Sequence, residues 1–107
     1  MSDDPDVQHL LDTLFPVFRG LGEPTRQVIF RALVTANGSG TVSDIVAATG
    51  LPQSTVSRQL AVMKTWGLVS SQRRHTSQLY AVTISPDVLG ALEQLTGILQ
   101  DCSHTQR

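Results

Sequence analysis

The stretch LPQSTVSRQLAVMKTWGLV, residues 51 to 69, gathers hydrogen-bonding side chains around a single arginine and contains no acid. Set on a helical wheel at about 100° per residue, Val56, Leu60 and Met63 fall on one face. Ser54, Arg58, Ala61 and Thr65 fall opposite, flanked by Thr55 and Ser57. Small side chains at Ser54, Ser57 and Ala61 let a helix backbone approach a surface closely, and a guanidinium such as that of Arg58 reaches a guanine edge or a phosphate in the major groove. Gln53, Ser54 and Thr55 occupy the first turn, where backbone N–H groups without internal acceptors and the helix dipole favour phosphate. Pro52 stands where a Ser or Asp cap is expected, so the start of the helix is open by a residue or two.

The surrounding charge has the same sense. The formal net charge is −1, but no acid occurs between Asp44 and Asp87, while Arg58, Lys64, Arg73 and Arg74 lie in that window. From Met1 to Pro24 the balance is reversed, with Asp3, Asp4, Asp6, Asp12 and Glu23 against Arg19 alone. The chain is polarised, and its basic side centres on the stretch 51 to 69. A negatively charged partner fits that side better than a face designed only for water.

The elements that must position these residues follow from periodicity. DVQHLLDTLFPVF places Val7, Leu10, Leu11, Leu14, Phe15 and Phe18 at helical spacing, which predicts an amphipathic helix over 6–19 that Pro16 should kink or end. Pro24 opens a second helix with Val28, Ile29, Ala32 and Leu33 facing inward, and NGSG closes it. Thr41 and Asp44 have capping-box spacing for a short third helix, and Gly50 suits its C-terminal cap. Only Leu51 and Pro52 separate it from the helix described first, which makes a helix-turn-helix. After Gly67 the period changes to two: LVSSQR and QLYAVTI read as two strands of a hairpin, with Tyr80, Val82 and Ile84 on one face and Arg73, Arg74 and His75 near the tip. A last helix over 86–102 carries Val88, Leu92, Leu95, Leu99 and Cys102 at spacings of 4, 3, 4 and 3, widened by Leu89 and Ile98. So long an apolar face on a terminal helix calls for a two-fold partner.

The expected fold is thus mainly α with a β-hairpin wing, an α+β winged helix-turn-helix of four helices, a hairpin and a fifth helix. One domain spans 1–107, with helices 6–19 and 86–102 forming a dimer interface through Leu10, Leu14, Leu92, Leu95 and Leu99. Hydrophobic content of 40% suits a globular core, and no apolar run approaches the ~18 residues that cross a bilayer. The acidic N-terminus is unlike a secretory signal, and a lone cysteine excludes an intrachain disulfide framework, so the expected location is the cytoplasm. There is no glycine-rich phosphate loop, nucleophile elbow or Ser, His and Asp constellation, so no enzyme is expected.

LGEPTRQVIFRAL, STVSRQLAVMKTWGLV and LYAVT, in this order of elements, resemble the arsenic-repressor-like (ArsR/SmtB) family of winged-helix transcriptional regulators over roughly residues 7 to 102. The resemblance implies a homodimer joined through its first and last helices, bound to an inverted-repeat operator in double-stranded DNA and repressing until an effector lowers its affinity. It carries base reading onto Gln53, Ser54, Ser57 and Arg58. The wing turn lacks the glycine often found there. Thiolate sensors of the family carry a Cys-x-Cys where this chain reads TVSDIV. Asp87 matches the first ligand of the family's interfacial zinc site, but Leu89 replaces the following histidine.

Two other groups could ligate nickel, zinc or cobalt: His9 with Asp12, three residues apart on one helix, and Asp101, Cys102 and His104 at the chain end. Against them stands the plainer reading, with solvated His9 and Asp12 and Cys102 as a small buried thiol in the apolar stripe; an intersubunit disulfide is a third role for Cys102. Two functions therefore remain in view. One is a self-sufficient, metal-responsive regulator. The other is a winged-helix interaction subunit without its own effector site, acting with a second regulatory protein.

Overall fold

The computed structural model describes residues 6–105, with side chains described to residue 103. The elements in order are α1 (Val7–Gly20), α2 (Pro24–Thr35), β1 (Ser39–Thr41), α3 (Val42–Thr49), α4 (Gln53–Thr65), β2 (Val69–Arg74), β3 (Ser77–Val82) and α5 (Pro86–Thr105). They fall into two compact units, one of residues Pro16–Ile84 and one combining the chain up to Phe15 with the chain from Ser85 onward. No helix among the described residues is long and apolar enough to cross a membrane.

In the central unit, Ile29 and Leu33 of α2, Ile45 of α3, and Val56, Leu60 and Met63 of α4 pack with Leu68 and Val69 into one buried cluster. Tyr80, Val82 and Ile84, expected to share a face, are partly buried and packed against it. Local chemistry fixes three of the helix ends. Glu23 accepts from the Arg26 N–H at 3.0 Å and Pro24 opens α2. Thr41 and Asp44 exchange the two capping-box bonds, 3.1 and 3.0 Å long. Gly67, at φ +77°, lets the chain reverse after α4 so that Leu68 N–H reaches the Met63 carbonyl at 3.0 Å.

The sheet has one strand more than the expected hairpin. β1 pairs antiparallel with β3 (Gly40 opposite Tyr80), and β3 pairs with β2 (Ser71 opposite Tyr80), giving the order β1-β3-β2. Three residues of small and polar type carry no alternation to read, and their pairing is with chain forty residues away. The helix expected over 6–19 runs as α1 through Pro16 to Gly20, so Pro16 does not end it, and two further expectations need correction. The hydrogen bond Pro16 cannot donate to Asp12 is offset by apolar anchors on both flanks, Leu10 and Leu14 in one cluster and Val17 and Leu21 against the other. Val28 is 45% exposed, because the buried line of α2 runs through Ile29 and Leu33 and turns Val28 outward. Cys102 is exposed rather than a buried member of the stripe.

In the other unit, Leu10 and Leu14 of α1 and Ala91 of α5 are buried, with Val88, Leu95 and Ile98 packed on them. Large side chains on the same two helices stay in solvent: Val7, Leu11, Phe15 and Phe18 on α1, and Leu89, Leu92 and Leu99 on α5.

Candidate nucleic-acid interface

Helix α4 is anchored by three fully buried side chains, Val56, Leu60 and Met63. The opposite face carries Ser54, Ser57, Arg58, Ala61 and Thr65, all exposed, while Thr55 at the edge is half-buried. Arg58 makes no hydrogen bond or ion pair with the described residues, so its guanidinium is available to an outside acceptor. The helix begins at Gln53, and Pro52 supplies no side-chain cap. The first main-chain bond is from Val56 N–H to the Pro52 carbonyl at 3.0 Å. The N–H groups of Gln53, Ser54 and Thr55 precede that bond and point out of the helix end, the arrangement that binds anions.

Besides the packing of Val69, a side-chain hydrogen bond ties the wing to this helix. Lys64, in the last turn of α4, donates from Nζ to Ser71 Oγ on β2 at 2.8 Å. A cation beside the strand thereby links helix and wing while remaining exposed. Farther out, Arg73 stands opposite Gln78 and Arg74 opposite Ser77, and all four are exposed. His75 and Thr76 form the two-residue turn, with His75 at φ +55°, the left-handed region that a glycine would enter at no steric cost. Nothing in the residue pattern pointed to Ser71, whose part comes from its place within reach of Lys64.

Behind the helix, Arg26 of α2 fixes its position. Its Nε donates to the Gly20 carbonyl at 2.6 Å, and its Nη1 donates to Gln59 Oε1 at 3.1 Å. Arg26 thus joins α1, α2 and α4 without facing a ligand. Arg19 lies over the Trp66 ring at 5.8 Å from its centroid, just past the end of α4.

Residues 23–71, spanning α2 to the start of the wing, match the family model described as bacterial regulatory protein, arsR family. An uncharacterized HTH-type transcriptional regulator of Methanocaldococcus jannaschii is 33% identical over 62% of this chain and 73% of its own. A putative arsenical resistance operon repressor of Halobacterium salinarum is 32% identical over 76% of this chain and 69% of its own. The homodimeric winged helix-turn-helix domain of a possible ArsR-family regulator from Mycobacterium bovis superposes with a TM-score of 0.62 at 30% identity, covering 100% of this chain and 96% of that one. The chain belongs to the ArsR family.

That makes it a DNA-binding transcriptional regulator with a winged helix-turn-helix. In this ArsR-family chain the candidate metal ligands are spread out. His9 is exposed, and its main-chain N–H donates to Asp6 Oδ1 at 3.3 Å, while Asp12 accepts from Gln8 Nε2 at 2.9 Å. His9 instead shares a cavity of about 450 Å³ with Asp87 and Gln94. Asp101 and Cys102 are exposed, and the side chain of His104 lies outside the described residues. Among the described residues, no three His, Cys, Asp or Glu side chains are grouped to hold an ion. Of the expected dimer leucines, Leu10 and Leu14 are buried within the chain, Leu95 is half-buried, and Leu92 and Leu99 are exposed.

Proposed function

We propose that this ArsR-family chain is a homodimeric repressor, acting as one domain in the cytoplasm, that reads an inverted-repeat operator. The carrying observation is α4 itself: one face fully buried, the other acid-free and exposed around Arg58, with three first-turn N–H groups open to phosphate. In this reading Gln53, Ser54, Ser57 and Arg58 meet base edges, with Thr55 at the margin of that contact. Lys64, Arg73, Arg74 and His75 meet the flanking backbone. The exposed apolar residues of α1 and α5 support a two-fold partner, as does the homodimeric state of the Mycobacterium bovis domain. Leu92 and Leu99 would meet the partner directly, with Leu10, Leu14 and Leu95 supporting them from beneath.

Metal responsiveness is the finer half of the proposal, and its support is the arsenical-resistance name of the Halobacterium salinarum relative. The deciding experiment is a fluorescence anisotropy titration of the protein on DNA upstream of its own gene and on a scrambled duplex. It is repeated with nickel, zinc and cobalt and with an oxidant. Preference for the upstream DNA of about a thousandfold is expected. Equal affinity for the two duplexes would remove the operator-reading role. Loss of affinity on adding one metal would identify a self-sufficient sensor.

A further inference from the structure

Helices α2 and α3 leave a groove of about 510 Å³ along their seam, lined by Val28, Arg31, Ala32, Ala36, Ala48 and Thr49. Beneath it the same three alanines border a further gap of about 30 Å³ that reaches down to Leu33 and Ile45. Alanine at each of these places leaves the seam unfilled where longer side chains would have closed it. The groove has the volume of a small-molecule site, and its lining is mainly apolar, the usual character of such sites.

The polar groups on its wall define what it can recognise. Thr35 Oγ1 already donates to the Arg31 carbonyl at 2.8 Å, and Thr49 Oγ1 donates to the Ile45 carbonyl at 2.7 Å. Thr49 Oγ1 also accepts from Leu51 N–H at 3.2 Å. Neither hydroxyl has a proton left to offer. Arg31 is the only charged side chain of the lining, it is exposed, and its guanidinium makes no hydrogen bond or ion pair with the described residues. A guanidinium with open donors binds a carboxylate through two parallel bonds. We propose that the α2–α3 groove is a binding site for a small amphipathic monocarboxylate, its carboxylate on Arg31 and its hydrocarbon tail on Ala32, Ala36 and Ala48.

The site is also placed to act on DNA binding. Ile45 of α3 packs in the same cluster as Val56 and Leu60 of α4, so an acid wedged between α2 and α3 shifts the seat of the reading helix. Only this regulatory effect rests on the operator-binding reading, and the binding itself is measured without DNA.

The probe is octanoate, with octanol as the matched tail without charge, each titrated into the full chain and followed by two-dimensional amide NMR. Saturable shifts at Val28, Arg31, Ala32, Ala48 and Thr49 are expected with octanoate, with octanol weaker by about tenfold or more. Arg31→Gln, on the surface, brings octanoate down to the level of octanol. Ala48→Leu fills the groove and removes both. If that variant does not fold, Arg31→Gln decides alone. No saturable shift up to about 10 mM octanoate overturns the site, as do equal affinities for acid and alcohol, or shifts confined to the exposed leucines of α5. Octanoate that binds the groove but leaves operator affinity unchanged overturns the regulatory role alone. A chain that binds octanoate but no operator leaves the site standing and removes the reading above.

Discussion

Arg58 and Arg73 are both exposed arginines in the acid-free half of the chain, yet they stand in different settings. Arg58 projects from the outward face of a helix whose other face is fully buried, so the core fixes the direction in which it is presented. Arg73 stands exposed on the wing opposite Gln78, and the proposed reading gives it a contact with the DNA backbone. Arg58→Ala is expected to lose about 1 to 3 kcal/mol on the operator and little on random DNA, whereas Arg73→Ala weakens both alike. Anisotropy titrations on the two duplexes measure this, and equal losses for Arg58→Ala would sink its base-reading role. His75 offers a test of the wing by itself. A non-glycine residue in the left-handed region carries roughly 1 kcal/mol of strain, so His75→Gly should raise the unfolding free energy by up to about that amount, less the flexibility glycine gives the unfolded chain. Urea denaturation reads it directly.

At the scale of the elements, the seat of α4 depends on how closely its neighbours approach. A Cβ built on Gly20 would lie 2.5 Å from Leu68 Cδ1, and the Gly20 carbonyl is the acceptor for Arg26 Nε. Gly20→Ala therefore forces Leu68 aside in a closed core, and a loss of about 1 to 3 kcal/mol in stability is expected. Arg26→Ala breaks the link to Gln59 on α4 and should weaken operator binding and folding together. Thermal melts alongside titrations separate the two variants from a surface change. Most of this architecture could be read in advance, because Val56, Leu60 and Met63 repeat at helical spacing and Thr41 with Asp44 spells its own cap. β1 could not, since its pairing with β3 is a matter of backbone alone. That α1 runs on through Pro16 was legible only as one of two alternatives, because the cost of a proline is local and visible while the anchors on its two flanks, Val17 against one cluster and Leu14 in the other, depend on the fold. In the candidate site, Ser54, Arg58, Ala61 and Thr65, flanked by Thr55 and Ser57, were legible as one outward face. The bond from Lys64 to Ser71 was not, as nothing in either residue type names the other.

For the whole molecule, the charge distribution matters more than its sum. The four basic residues from Arg58 to Arg74 lie in a window without acid, and a dimer doubles them on one duplex. With about six or more phosphate contacts per dimer, affinity should fall on the order of a thousandfold between 50 and 200 mM salt. A nearly flat response would exclude DNA as the main partner. The half-sites of the operator should be centred about one helical turn apart. Leu99 is 57% exposed on α5, so Leu99→Asp should leave the fold intact while shifting light-scattering mass from dimer to monomer and weakening operator binding. A variant that stays dimeric places the two-fold contact elsewhere. The single tryptophan of the chain, Trp66, lies where α4 gives way to the wing, half-buried and under the Arg19 guanidinium. Its emission is consequently a built-in optical gauge of that joint: movement of the reading helix against the wing changes the quenching cation and the polarity around one indole, so a label-free stopped-flow trace can time the response of the protein to DNA or to an effector.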